Sequence, residues 1–271
     1  MKKILFGALL LFFGLELSSA KDNLYSSFVN VEGGTFQMGS SDSNAKSDEK
    51  VHTVFVKSFS ISKYEVTRSL YKKITKKSPG YFTCGGTCCD DPSLCPVENV
   101  TFQEVLEFCN ALSKKEGLQS AYIKKEGENW EWDRKANGYR LPTEAEWEFA
   151  ARGGNSSQGH VYSGSGKLGD VAWYLGNSDG FPHQVAKKEA NELGLYDMTG
   201  NVWEFVWDIY GEYDDSIKEN PSGPEKGRNR VLRGGGFNDV GSLQRVSARW
   251  QLRQAGYCGN YAGFRLARNV D

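Results

Sequence analysis

The chain has no excess of charge of either sign: 33 Lys and Arg stand against 34 Asp and Glu, a net charge of −1. Nucleic-acid binders usually carry a basic excess and disordered tails an acidic one, so neither class fits. Histidine is confined to His52, His160 and His183, at no metal-ligand spacing, so these read as surface residues rather than as an imidazole-built metal site. Proline and methionine are also scarce, at 7 and 3 residues. No Pro/Ser linker, charge block or repeat divides the sequence, which predicts one domain after the leader. No heptads or long apolar edge strand mark an interface, so a monomer is expected.

Glycine and aromatics are plentiful instead. Glycine makes up 31 of 271 residues, well above the usual ~7%, without a Gly-X-Y period. Seven Trp, 13 Tyr and 15 Phe accompany it. Turns and aromatic packing predict a loop-rich fold rather than a helical bundle.

Lys2-Lys3, an apolar run from Ile4 to Leu15 and the small residues Ser18, Ser19 and Ala20 form an n-region, an h-region and a cleavage site. The run is shorter than the ~20 apolar residues a spanning helix needs. Residues 1–20 therefore read as a signal peptide and 21–28 as a linker, placing the rest outside the cytoplasm, in the cell envelope or at the cell surface. Leu17-Ser18-Ser19 also matches the first three positions of a bacterial lipobox, with Ala20 where the acylated cysteine belongs. Natural secretion, or a lipoprotein whose cysteine has been replaced, both give this sequence. The second would supply a lipid anchor if position 20 is natively Cys.

Four of the six cysteines (Cys84, Cys88, Cys89 and Cys95) crowd together, with Cys109 and Cys258 apart. In an exported chain such a cluster predicts a disulfide-stapled loop. A zinc site is the alternative, opposed by the adjacent Cys88-Cys89 pair.

Three helix starts are signed. Thr101 and Glu104 form a capping box ahead of Val105, Phe108, Cys109 and Leu112, and Gly117 closes the segment. Thr143 and Glu146 form another, ahead of Trp147, Ala150 and Ala151, stopped by Gly153-Gly154. Thr67 caps a third, with Leu70 and Ile74 inward. Strands are predicted at Thr53 to Ile61, Phe36 to Met38, Val231 to Arg233 and Phe264 to Ala267. Residues 153 to 230 show almost no period, leaving Trp173, Trp203 and Trp207 to organise them by packing.

Five islands occur in order: Gly33 to Gly39, Pro96 to Thr101, Tyr139 to Glu148, Gly194 to Glu204, and Arg230 to Gly235 with Gly263-Phe264-Arg265. Together, over roughly residues 29 to 268, they resemble the formylglycine-generating enzyme, or sulfatase-modifying factor, domain family. The resemblance implies an α+β, C-type-lectin-like fold, loop-rich with short helices and small antiparallel sheets, filling residues 29–271. Catalytic members of that family hold copper with two cysteines shortly after the Arg-Gly-Gly segment, as suits soft thiolate ligands. Here the matching stretch, Gly236 to Arg245, has no cysteine. A non-catalytic member without a catalytic cofactor is thus implied. The alternative, a copper-dependent oxidase acting on sulfatases, is opposed by the missing pair.

Within the family, Arg230 to Arg268 is similar to the variable region of diversity-generating retroelement proteins, which present altered surface residues on this scaffold. Its framework is Val231 to Gly235, Asn238, Arg245, Ala248-Arg249 and Gly263 to Leu266. The interleaved residues Phe237, Asp239, Val240, Ser242, Trp250, Leu252, Tyr257, Cys258, Asn260 and Tyr261 follow no helical or strand period. They mix rigid aromatics with small polar groups, as recognition loops do, and are the candidate ligand-binding set. The alternative for Phe237, Trp250 and Tyr261 is plain core packing. The carbohydrate tripeptide Glu-Pro-Asn of true C-type lectins is absent, so a protein ligand is expected before a glycan.

The segment Asp197 to Glu204 resembles a family calcium site. The resemblance implies ligation by the Asp197 and Glu204 carboxylates and the Gly200 and Val202 carbonyls, an all-oxygen set suited to structural Ca²⁺. The alternative is that Glu204 accepts backbone hydrogen bonds in a buried turn. Arg233 and Arg265 read as framework residues paired with internal acids.

Overall fold

A computed structural model of the chain describes residues 27–82, 90–126, 129–216, 218–252 and 259–270. The predicted leader and most of the linker lie outside these residues, as do Cys84, Cys88, Cys89, Tyr257 and Cys258. Among the described residues no helix is long and apolar enough to cross a membrane.

The three signed helices form where their caps place them. Helix α1 (Arg68–Thr75) starts on Thr67, whose hydroxyl accepts the Leu70 amide at 3.3 Å. Helices α2 (Phe102–Lys115) and α3 (Glu144–Ala151) both open with complete capping boxes, on Thr101/Glu104 and Thr143/Glu146. Each box satisfies two amide donors that the first turn leaves free. A single turn, α4 (Leu168–Val171), follows in the loop-rich half.

The strands make four small sheets. β1 (Phe28–Val31), β4 (Phe59–Ser62) and β11 (Ala267–Asn269) form one, with β4 central and antiparallel to both. β2 (Gly34–Met38) pairs with β3 (His52–Val56), and β5 (Tyr122–Lys124) with β6 (Trp130–Trp132). The largest sheet has the order β10 (Ala262–Phe264), β7 (Trp203–Ile209), β8 (Arg230–Arg233), β9 (Arg249–Leu252). Its β10–β7 pair is parallel, the other pairs antiparallel.

Two predicted strands prove to be two each. Thr53 to Ile61 breaks at exposed Lys57-Ser58, so β3 and β4 join different sheets. Gly33 lies against this break; a Cβ there would sit 2.6 Å from the Val56 carbonyl oxygen. Phe264 to Ala267 divides likewise between β10 and β11 at buried Arg265 and Leu266.

The core has two parts. One packs α1 and α2 on the large sheet through Tyr71, Phe108, Phe205 and Phe264. The other packs α3, through Trp147 and Phe149, against Val54, Val56, Val206 and Val231. Helix α3 thus lies between the small β2–β3 sheet and the large one, where its acidic residues meet the arginines of the 233–249 segment.

Candidate ligand-binding face

Residues 234 to 248, between β8 and β9, have no regular structure beyond one 3-10 turn at Gly241–Leu243. Three arginines hold them. Arg233, 0% exposed, pairs with Glu148 and donates to the carbonyls of Ser247, at 2.8 Å, and Ala248. Arg245 grips Glu49 at 2.6 and 2.7 Å. Arg249 grips Glu144 at 2.8 Å through both Nε and Nη2. Burial pushes the Glu148 carboxyl up, and Arg233 with Arg152 more than offsets it, leaving it below its ordinary value. Such bidentate, charge-assisted bonds fix geometry where a ladder of backbone bonds is missing. Arg233 is therefore a framework residue, and so is Arg265, which is buried and paired with Glu204 at 2.6 Å.

Gly235 sets the exit from β8. Its φ is +79°, and a Cβ there would lie 2.5 Å from Gln244 Oε1 and 2.8 Å from the Leu243 carbonyl oxygen. The chain then turns on Asp239, whose Oδ2 accepts the Gly236 amide at 3.0 Å and the Trp203 indole N–H at 2.7 Å. Burial still raises the Asp239 carboxyl above its ordinary value.

The predicted set divides. Val240, 52% exposed, and Trp250, 42% exposed, project outward beside exposed Ser242 and half-buried Asp239. The Trp250 ring lies 6.3 Å from that of Trp203, under the Lys46 ammonium at 4.7 Å. Asn260 and Tyr261 are half-buried, and the Tyr261 carbonyl accepts the Trp203 amide at 2.9 Å.

Phe237 is a correction: it is buried, stacked edge-on against Phe82 at 5.2 Å, with its carbonyl accepting the Ser178 hydroxyl at 2.6 Å. Leu252 is a second. It shares Trp250's side of β9, but lies two residues further along, as a buried member of the first core cluster. For these two, core packing is the correct reading. The structure adds Lys46 and Leu175, whose amide donates to the Asp239 carbonyl at 3.1 Å and whose side chain is exposed. Both arrive from distant loops with no local pattern to mark them.

No cysteine enters this face between Arg233 and Leu252. Cys109 is a free thiol inside α2, and burial pushes its pKa far up, away from the thiolate that redox chemistry needs. His52 and His183 bond backbone carbonyls, at 3.0 and 2.9 Å. Among the described residues no three His, Cys, Asp or Glu side chains gather as metal ligands.

The segment implied to hold calcium lies behind the face. Asp197 and Asn201 take left-handed backbone, φ 55° and 63°, around Gly200. Asp197 Oδ2 accepts the Ala186 amide at 2.8 Å, while its buried Oδ1 has no hydrogen-bond partner. That oxygen suits a cation. Glu204 does not: Arg265 holds it at 2.6 and 2.7 Å, and the Trp147 indole at 2.8 Å. As placed, the four residues do not fit together around one ion, because a guanidinium already supplies the positive charge. The alternative reading also changes, since Glu204 sits in a strand and its carboxylate bonds side chains rather than turn amides.

Burial pushes the Asp197 carboxyl to about 6, from 3.8. The unfolded chain ionises first as pH rises, so stability is lost between those values and the full cost, about 3 kcal/mol at most, applies above them. In EGTA, the unfolding midpoint should therefore rise when pH is lowered from 7 to 5, and Asp197→Asn should flatten that rise. Calcium that raises the midpoint at pH 7 but not at pH 5 would place an ion on Asp197; an unchanged midpoint removes it.

Comparison with known proteins agrees with this architecture. The profile of the sulfatase-modifying factor enzyme 1-like domain matches residues 15–270. "Chaperone protein LppX" of Paenibacillus barcinonensis is 35% identical over 257 residues, covering 83% of this chain and 84% of that one. The formylglycine-generating enzyme of Streptomyces coelicolor is 36% identical over 152 residues, 49% of this chain and 48% of that one. Among solved structures, Treponema denticola variable protein 1 superposes with a TM-score of 0.82 at 31% identity, covering 90% of this chain and 95% of that one.

Proposed function

The chain belongs to the sulfatase-modifying factor enzyme 1-like domain family, and within that family we propose that it is a non-catalytic, exported binding protein. Its recognition face is Val240, Ser242 and Trp250, set on the turn that Asp239 holds and edged by Lys46, Leu175, Asn260 and Tyr261. The observation that carries this reading is the division within one irregular segment. The framework arginines are locked to buried acids, while Val240 and Ser242 between them and Trp250 just past Arg249 project outward. A surface whose contacts do not support the fold is free to vary, and the likeness to a protein named variable agrees with that. The ligand is a protein rather than a glycan: an exposed Trp with neighbouring small polar groups, on a chain without strong net charge, suits recognition by shape and aromatic contact. A relative named as a chaperone is in keeping with a protein partner.

Substitution separates face from framework. Val240→Ser and Ser242→Ala should change stability by no more than about 0.5 kcal/mol, and Trp250→Ala by about 1 kcal/mol. Phe237→Ala should cost about 3 kcal/mol or more. Against any ligand recovered by selection, Trp250→Ala should weaken binding by about thirtyfold or more. Chemical denaturation and binding titration read both; equal stability losses at Val240 and Phe237 would sink the division. The gene offers a separate check on diversification, which predicts a neighbouring reverse transcriptase and an imperfect template copy of codons 236–261. A locus with neither leaves a fixed binding module.

The family's enzymes supply the competing reading, copper-dependent oxidation of a sulfatase cysteine. It requires paired thiolates that this face lacks. Incubation with copper and a cysteine-containing sulfatase peptide should give no aldehyde by mass spectrometry; turnover would overturn the non-catalytic assignment.

A further inference from the structure

A cavity of about 360 Å³ opens on the opposite side of β9 from Trp250, between the end of β7, the start of α3 and residues 211–214 and 221–225. Its size is that of a small-molecule site. Met38, Ala145, Ile209, Pro221 and Pro224 line it with apolar surface. At its buried end lie Glu144, Arg249 and Asp208. Arg249 is fully engaged, by Glu144 and by the carbonyls of Asp48 and Gly211 at 3.0 and 2.9 Å.

Asp208 is different. It is 3% exposed, yet among the described residues it forms no ion pair and accepts only the Glu144 amide, at 2.8 Å. Each of the buried carboxylates Glu144, Glu148 and Glu204 has an arginine within 2.8 Å or less. Burial and the nearby Glu144 and Glu146 push the Asp208 carboxyl well up, against the weaker pull of Arg249. The mouth adds Glu212, Asp214 and Glu225, all exposed, and among the described residues no lysine or second arginine lines the cavity. The hydrogen bonds of Ser216 hold Asp214 below its ordinary value, so the rim is anionic.

An apolar-walled cavity with an unpaired carboxylate at its end and an acidic rim is complementary to one ligand chemistry. We propose that it binds a small organic cation, a primary ammonium on a short apolar stem, with the ammonium on Asp208 and the stem against Met38, Ala145 and Ile209. Arg249 and Arg230 act on Asp208 only from beyond ion-pair distance; the bound ammonium supplies the direct ion pair, and desolvated charge pairs of this kind discriminate strongly against neutral isosteres. This site is independent of the recognition face, because Arg249 and Trp250 project to opposite sides of their strand.

Hexylamine, 1-hexanol and hexanoate are isosteric probes that differ in head-group charge. Calorimetric titration of the full chain should show saturable, single-site binding of hexylamine. Hexanol should bind at least about tenfold more weakly, and hexanoate should not bind. Asp208→Asn should weaken hexylamine at least about tenfold while leaving hexanol unchanged. Should that variant fail to fold, the exposed pair Glu212→Gln and Glu225→Gln should weaken hexylamine about threefold at low salt, an effect that fades at high salt. No saturable hexylamine binding, equal affinity for all three probes, or full affinity in Asp208→Asn or in the rim variant would each overturn the proposal.

Discussion

Arg233→Met should cost about 3–5 kcal/mol of stability and loosen the whole segment from Gly234 to Ala248, because it breaks a buried ion pair from one side only. Methionine fills much of the volume but donates nothing. Glu148, fully buried, retains Arg152 at 2.7 Å and the Gly39 amide at 2.8 Å but loses its tie to the segment. Glu144 retains Arg249. The carbonyls of Val246, Ser247 and Ala248 lose the donor that draws them inward, and unsatisfied buried acceptors add to the cost. Urea unfolding reads the stability loss, and amide exchange at residues 236–248 locates it. A loss under 1 kcal/mol, or exchange protection unchanged in that segment, would show that Arg245 and Arg249 alone position the face.

That prediction rests on a partnership the sequence only half discloses. Arg233 is visible as a framework arginine, and the capping boxes place α3, but nothing local to either says that Glu148 faces Arg233. The pairing spans 85 residues. The caps were legible because they are chemistry between residues three apart. Strand β7 was not, because it is central and buried on both sides, so it lacks the alternation that marks a half-exposed strand. It also carries Glu204 and Asp208, charges that argue against a buried strand until their surroundings are known. The candidate face divides in the same way. Val240, Ser242 and Trp250 are exposed as their mixed composition implies. Phe237 and Leu252 share that composition, and only the third dimension shows Phe82 and the first core cluster covering them. Lys46 and Leu175 belong to the face through loop packing alone.

The other large effect is expected at Arg265, where three buried acids depend on one cation. Arg265 is 0% exposed and holds Glu204 through two bonds, while donating to the Tyr196 carbonyl at 2.9 Å. It also draws down Glu65 and Asp197, both of which burial pushes up. Glu65 in turn receives the Asn201 amide at 2.6 Å and the Val202 N–H at 3.2 Å, so the acids sit in one network around the turn at Gly200. Arg265→Ala therefore leaves charge buried without compensation and should cost about 3–5 kcal/mol at pH 7. The deficit should shrink as pH falls. With Arg265 gone, Glu65 and Asp197 bind protons more tightly still in the folded state than in the unfolded one, so acidification favours folding of the variant relative to the parent. Denaturation at pH 7 and pH 5 tests the sign, and an equal deficit at both values would show that Arg265 acts through packing. Calcium gives the variant a second test. With the guanidinium removed from Glu204, the oxygens of Glu204 and Asp197 become available to a hard cation. Millimolar calcium should then restore stability to Arg265→Ala more than to the parent chain, in which the arginine already holds that place.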